Sequence, residues 1–487
     1  MTRVLLLYPP LQFASGAFAK PDGSLSLPYL AGSLRRAGYE VSIYDAAVGR
    51  DGDDLAGTFQ RFEPLPNGLT RVGASDEAIV REAAGYDAIG ISSTFTAQHT
   101  RALATVRLLR EAYPAVSIFV GGVNARYFKS AFLDAGADAA CLTEGEGVVV
   151  DLLRRPLAEV PGIAWKSGGF VRVNPSPEPV VDLDELPMPA WDLLPLAQYQ
   201  RVARPHGRGF DGAQPRYAEM MTSRGCPYRC TFCHVSKEQP GDEAGDLGAY
   251  RVKSVDRVAE EARTLQGLGV GYVFLEDDSL LAKKARAIRI FEMLAGYGLR
   301  LADVNGVNLS HLFRSVSGRL EPDADLLACM AACGFDEVSL PFESGSQRIL
   351  DQYASKKWSV ARTDTAALVR AVKAAGMRAS GNYTIGFPDE TLDEVKATLR
   401  LARDHVAAGV DEVNVFLIVP FPGSVLFDQA RAGGYLDEWN PDEMRWFTPV
   451  MRNTTVPPEQ LKVIRELAWE FLNPAPYVAE RRRGAVG

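Results

Sequence analysis

Three cysteines, Cys226, Cys230 and Cys233, lie in the run Gly225-Cys226-Pro227-Tyr228-Arg229-Cys230-Thr231-Phe232-Cys233-His234. A C-x3-C-x2-C spacing gathers three thiolates on one short loop. Three thiolates hold three irons of a four-iron, four-sulfur cluster and leave the fourth iron open to another ligand. Competing chemistries fit less well. A structural zinc site takes four ligands, usually as two separated pairs, and no second pair exists here. His234 adjoins Cys233 directly, where it would strain a tetrahedron. Six cysteines in 487 residues are sparse for disulfides, and Cys141, Cys329 and Cys333 lie in apolar segments typical of buried thiols. A non-catalytic electron carrier would normally saturate its cluster with four cysteines.

Such a loop needs a frame, and the chain supplies alternating strands and helices. Residues 4–8, 40–44, 88–92, 117–120 and 139–142 read as strands, with helices at 28–37 and 100–112. That alternation predicts a doubly wound parallel sheet, with ligands at the carboxyl ends of its strands. Between 156 and 212 the character changes. Lys166-Ser167-Gly168-Gly169-Phe170 reads as a hairpin turn, 175–195 as a Pro-rich acidic linker, and 204–212 as a glycine- and arginine-rich loop. Strands then return at 217–221, 272–275, 301–305, 337–341, 379–385 and 412–419, with helices at 255–268, 285–297, 323–333, 363–375 and 392–408. Six βα units in about 200 residues suit a partial barrel rather than a closed one of eight strands. A short, mostly helical tail follows, anchored by Trp446 and Trp469 and ending in a frayed basic run at 480–484. The expected domains are 1–155, a linker with a hairpin at 156–215, the barrel at 216–430 and the tail at 431–487.

The barrel's strand ends carry polar groups. Glu276, Asp277 and Asp278 follow the second strand and could grip an ammonium group, or form a plain solvated turn. Asp303, Asn305 and Asn308 close the third, where paired amides suit hydroxylated or carboxylate ligands. Glu343 and Ser344 end the fourth, and Gly386 ends the fifth in Thr384-Ile385-Gly386-Phe387-Pro388-Asp389-Glu390. The acids and amides together favour a polar or cationic small-molecule substrate.

The cysteine triplet, with aromatic Phe232 just before the last cysteine and βα units behind it, resembles the signature of the radical S-adenosylmethionine (SAM) superfamily. The resemblance implies a [4Fe-4S] cluster that cleaves SAM to a 5′-deoxyadenosyl radical, which takes a hydrogen atom from substrate. It also implies an external electron donor such as flavodoxin or ferredoxin. By the same resemblance, Glu276, Asp277 and Asp278 meet the methionine ammonium, Glu343 and Ser344 the ribose, and Gly386 the adenine. Val419-Pro420-Phe421-Pro422-Gly423-Ser424 closes the cofactor pocket.

Leu27-Pro28-Tyr29-Leu30-Ala31, Ala37-Gly38-Tyr39-Glu40-Val41, Ile91-Ser92-Ser93, Gly121-Gly122 and Glu144-Gly145-Glu146 resemble the cobalamin-binding domain that precedes many radical SAM cores. That places cobalamin across Pro10, Ser93, Thr94, Gly122 and Asn124. The D-x-H-x-x-G motif of proteins that ligate cobalt through histidine is missing, and His99 reads as a helix start. Two readings stay open. The first is cobalamin-dependent C-methylation of a natural-product type of substrate. The alternative is a cobalamin-independent dehydratase or epimerase acting on an aminosugar, with Phe95 and Arg126 filling the cleft of a vestigial domain.

Bulk properties set the limits. A net charge of −8 argues against a nucleic-acid surface, which would be basic. No apolar run approaches the roughly 20 residues of a membrane span. The first residues, ending in Pro9-Pro10, read as a buried strand rather than a signal peptide. Reduced thiols point to the cytoplasm.

Overall fold

The computed structural model describes residues 2–14, 17, 25–202 and 215–483, and the chain forms two compact units. The first runs to Glu219 and also takes in Glu238–Leu247 and the residues from Arg481; the second comprises Met220–Lys237 and Gly248–Glu480. The loop expected at 204–212 and Gly484 lie outside the described residues.

In the first unit, β1 (Arg3–Tyr8) is apolar almost throughout, as a strand buried on both faces must be. It pairs in parallel with β2 (Glu40–Asp45) and β3 (Ala88–Ser92), and parallel pairing continues to β4 (Ser117–Gly121) and β5 (Ala139–Cys141). The crossovers carry helices, among them Ser26–Arg36 and His99–Ala112. Leu5, Leu7, Ile89, Ile91, Ile118 and Val120 pack with Ile79, Val106, Leu109 and Phe132 as the core. The strand order is β7-β6-β5-β4-β3-β1-β2, where β6 (Ile163–Ser167) and β7 (Phe170–Val173) form an antiparallel hairpin. That hairpin falls in the stretch expected as a linker. It belongs to the sheet because Cys141, Ala140 and Ala139 of β5 pair with Ile163, Ala164 and Trp165. The order reverses between β1 and β3, so the crevice for a ligand opens after Tyr8 and Ser92.

The six-stranded sheet opens with β8 (Tyr217–Met220), and the second unit then supplies β9 (Tyr272–Leu275), β10 (Arg300–Asp303), β11 (Phe335–Glu343), β12 (Arg378–Ile385) and β13 (Glu412–Leu417) in chain order. From β9 to β13 every neighbouring pair is parallel. This is a (β/α)6 partial barrel, with helices such as Val255–Gly267 and Leu392–Ala408 between the strands. An open barrel leaves an unpaired edge, which invites pairing with another chain. The tail covers it. The Asn473 amide both accepts from the Val413 N–H (2.9 Å) and donates to the Val413 carbonyl (2.8 Å). Arg465 Nε donates to the Val415 carbonyl, and the Leu417 N–H donates to the Trp446 carbonyl.

These backbone ties anchor the tail together with buried Leu461 and Ala468 and with Trp446, which is 48% exposed but sets its ring 5.9 Å from those of Phe416 and Phe421. Trp469 packs within the tail, beside Tyr477. The tail's regular helices are Pro458–Leu472 and Ala475–Arg483, so the basic end is helical up to Arg483 rather than frayed from residue 480.

His405 shows how tightly this unit packs. Its ring is fully buried 4.0 Å from that of Phe342, with Nδ1 2.7 Å from Tyr383 Oη and Nε2 2.7 Å from Thr365 Oγ1. Burial lowers its pKa from 6.5 to about 4. The unfolded chain therefore takes up this proton at higher pH than the folded one, and the stability present above pH 6.5 is lost as pH falls towards 4. Melts at about pH 7 and about pH 4.5 should show a smaller acid-induced loss of Tm for His405→Asn than for the wild type.

Candidate active site

The cysteine loop begins where the small antiparallel ribbon Ser223–Arg224 with Arg251–Val252 brings its two ends together. Gly225, at φ +74°, can be nothing else: a Cβ there would run into the Ala249 carbonyl. Behind the ribbon, Lys253 is fully buried; its Nζ donates to Glu261 (2.6 and 2.8 Å) and to the Met221 carbonyl (2.7 Å). Arg257 Nε adds a 2.9 Å bond to Glu261. Burial lowers the Lys253 pKa to about 8, with Glu261 opposing. The charges satisfy one another and fix the chain just ahead of the cysteines.

The loop itself is tied to three other strand ends of the same unit. The Gly225 N–H donates to Asp278 after β9 (3.1 Å). The Arg229 N–H donates to Ser355 Oγ and the Thr231 N–H to the Tyr353 carbonyl, each at 2.9 Å, in the connection after β11. The Leu426 N–H donates to the Thr231 carbonyl (2.8 Å), and the Val425 N–H to Ser236 Oγ (3.1 Å), after β13. Cys230 is buried, and Cys226 and Cys233 are partly so. Burial raises all three thiol pKa values, that of Cys233 to about 12. Among the described residues no three His, Cys, Asp or Glu side chains converge on a single-ion site. Three soft thiol donors spread along one fixed loop suit an iron–sulfur cluster.

The acids after β9 have divergent roles. Asp277 is 2% exposed and accepts from the Thr222 N–H (2.9 Å), Thr222 Oγ1 (2.7 Å) and Ser223 Oγ. It cannot reach a ligand as the sequence suggested, because its oxygens already hold the strand end before the cysteines. Asp278 is exposed, bonded to the cysteine loop, and in the electrostatic field of Cys226 and Cys233. Glu276 is half-buried, and its carbonyl accepts from Asn305 Nδ2 (3.0 Å). Asp303 is also turned inward. It accepts from the Gly306 and Ser339 N–H groups, and burial raises its pKa to about 7. Asn308 caps its own turn by accepting from Ser310.

Glu343, at the end of β11, is buried with φ +60°, a left-handed conformation costly for a glutamate and typical of functional positions. It accepts from Thr384 Oγ1 (3.1 Å) and Lys357 Nζ (3.0 Å). Ser344 is fully buried and spans to Thr398 Oγ1 (3.2 Å), so it holds the following turn instead of facing a ribose. Gly386 has φ +90°; Glu390 Oε2 accepts from its N–H and from that of Phe387. Burial raises the Glu390 pKa to about 8. The Phe232 ring lies 6.2 Å from that of Phe387 and 5.8 Å from Lys357 Nζ. Thr384 and Glu390 stood in the strand-end run read from the sequence but were given no role there, and Lys357 was absent from that reading.

In the first unit, Pro10 and Ser93 are buried, and Thr94 is exposed. Gly122 (φ +109°) is required because a Cβ would lie 2.5 Å from the Ser93 carbonyl, so its smallness serves loop-to-loop packing. Asn124 Nδ2 donates to Ser93 Oγ (2.8 Å) and meets His99 Nδ1 (3.2 Å). His99 begins its helix, its ring centred 4.1 Å from that of Phe128 and tilted against it by 37°. Phe95 is 42% exposed, while Arg126, 18% exposed at its side chain, pairs with Glu238 at 2.6 Å.

Comparison with known proteins agrees with this layout. Residues 220–402 match the radical SAM superfamily model, and residues 23–153 match the B12-binding domain model. An uncharacterized methyltransferase of Pyrococcus horikoshii is 28% identical, over 96% of this chain and 92% of that one. Cytidylyl-2-hydroxyethylphosphonate methyltransferase of Streptomyces wedmorensis is 28% identical, over 89% and 83%. The solved structure of the radical SAM methyltransferase TsrM from Kitasatospora setae, with cobalamin and a [4Fe-4S] cluster bound, shares the fold with a TM-score of 0.62 at 16% identity, over 88% and 79%. The chain thus carries a radical SAM domain over residues 220–402, with a B12-binding domain ahead of it at residues 23–153.

Proposed function

We propose that the chain is a cobalamin-dependent radical SAM methyltransferase that methylates an unactivated carbon of a polar small molecule. The observation that carries this reading is the succession of B12-binding and radical SAM domains, shared over most of their length with relatives named as methyltransferases. When bound, the cluster and SAM supply a carbon-centred radical, and cobalamin supplies the methyl group.

Cys226, Cys230 and Cys233 hold the cluster. Asp278 and Glu276 offer carboxylates to the methionine ammonium, Glu343 offers an oxygen to the ribose, and the Gly386 turn lies beside the adenine. Asp277 and Ser344 act one step behind, keeping those strand ends in place. In the first unit, Pro10, Ser93, Thr94, Gly122 and Asn124 would line the cobalamin site. His99 is engaged by Asn124 and Phe128. With Asp277 and Asp303 satisfied internally, the site does not demand a cationic substrate. A low-potential donor such as flavodoxin or ferredoxin reduces the cluster, in the cytoplasm where thiols stay reduced. Among the described residues, no helix is long and apolar enough to cross a membrane.

Protein reconstituted with iron and sulfide, then incubated with hydroxocobalamin, should keep corrin absorbance through desalting, in a form lacking a histidine ligand. With substrate it should yield a methylated product and 5′-deoxyadenosine. Protein that emerges without corrin yet cleaves SAM rejects methyl transfer in favour of the aminosugar dehydratase or epimerase.

A further inference from the structure

Lys357 is a buried ammonium with no part in the scheme above. Its side chain is 16% exposed, 3.0 Å from Glu343 Oε1 and 5.8 Å from the centre of the Phe232 ring, in the tripeptide that ends at Cys233. The chain spends strain to put it there. Ser355 and Lys356 both take left-handed backbone conformations, at φ +54° and +55°, although neither is glycine. The turn cannot drift. On one side, the Tyr353 carbonyl and Ser355 Oγ accept from Thr231 and Arg229, the residues flanking Cys230. On the other, Trp358 Nε1 donates to the Phe342 carbonyl at 3.0 Å.

Glu343 pairs with the ammonium at 3.0 Å, and Lys357 lies in the electrostatic field of Cys226, Cys230 and Cys233.

We propose that Lys357 is the fixed counter-charge of the cluster, raising its reduction potential so that a low-potential one-electron donor can fill it. A cluster gains one negative charge on reduction, and a cation held beside it in a poorly polarisable interior favours that state. Glu343 tempers the effect by sharing the ammonium. Lys357 is therefore a positioning residue, acting on the cluster through its field. The inference rests on the cluster reading, which stands or falls on iron content of the wild-type chain alone.

The test is a redox titration of the reconstituted full-length protein, followed by electron paramagnetic resonance without SAM. Lys357→Gln should shift the midpoint to more negative potential, and Lys357→Arg should leave it near the wild-type value. Glu343→Gln should shift it in the opposite direction, to more positive potential. A residue that merely held the turn together would not produce opposite shifts. If Lys357→Gln fails to take up iron, Glu343→Gln decides: an unchanged midpoint overturns the proposal, and a positive shift supports it. A wild-type midpoint in Lys357→Gln with weakened SAM affinity also overturns it, assigning the ammonium to the cofactor's carboxylate.

Discussion

Alanine at Cys226, Cys230 or Cys233 should abolish cluster assembly and, with it, all formation of 5′-deoxyadenosine. Each thiolate would hold one iron, and the loop offers no substitute donor close by: His234 follows the last cysteine directly, and Asp278 is bonded to the Gly225 N–H. The remaining thiols are controls. Cys329 and Cys333 lie 4.0 Å apart in or beside the helix Ala324–Ala332, away from the cysteine loop in sequence, and Cys141 ends β5 of the other unit. Alanine at any of these three should leave cluster content unchanged, at a stability cost of about 1 kcal/mol. Iron and sulfide per chain, together with SAM cleavage, measure the outcome. A variant of the triplet that still cleaves SAM would remove the assignment.

Asp277→Ala should be the most damaging change outside the cysteines, and the damage should be to the fold. The substitution strands a backbone N–H and two hydroxyls in a buried site, and each unsatisfied buried donor costs about 1–3 kcal/mol. A total near 3 kcal/mol or more is expected, with Thr222 and Ser223 released at the root of the cysteine loop. The neighbouring Asp278→Asn should cost under about 0.5 kcal/mol, since its side chain is exposed. Its loss should instead appear in SAM binding, by about 1.5–3 kcal/mol for a charge-assisted contact. Denaturant unfolding and SAM titration on the two variants separate the effects. Equal stability for both would contradict the burial of Asp277.

That contrast shows where the sequence was informative and where it stopped. The helix Leu392–Ala408 was legible to the residue, because Thr391 and Glu394 form a reciprocal N-terminal cap and Gly409 ends it at φ +110°. β9 was equally plain as a short apolar run. Glu276, Asp277 and Asp278 were legible as acids at a strand end, but three in succession point different ways, and only the packing decides which one is swallowed. Lys357 gave no local sign, because its place depends on a left-handed turn at Ser355 and Lys356 that no propensity would favour. The three-stranded sheet of Leu11–Phe13, Thr70–Val72 and Phe62–Pro64 was missed because Leu11–Phe13 finds its partner far along the chain, and the local pairing of Phe62–Pro64 with Thr70–Val72 is only three residues a side. The hairpin Phe313–Val316 with Arg319–Pro322 was missed despite its Ser317-Gly318 turn, since its strands carry little apolar pattern.

The segment Glu238–Leu247, which follows the cysteine loop in sequence but folds with the N-terminal unit, has a practical and evolutionary consequence. It supplies Glu238 to Arg126, Glu243 to Lys129 and the Glu243 carbonyl to Ser176. A truncation near residue 219 would therefore remove partners from a half that otherwise looks complete. Arg126, only 18% exposed at its side chain, would be left as a partly buried charge without its carboxylate. The two halves are consequently poor cassettes: a B12-binding domain exchanged between relatives must bring its own version of this ten-residue strap. Recombination that moved one without the other would be selected against at the level of folding, before any chemistry was lost.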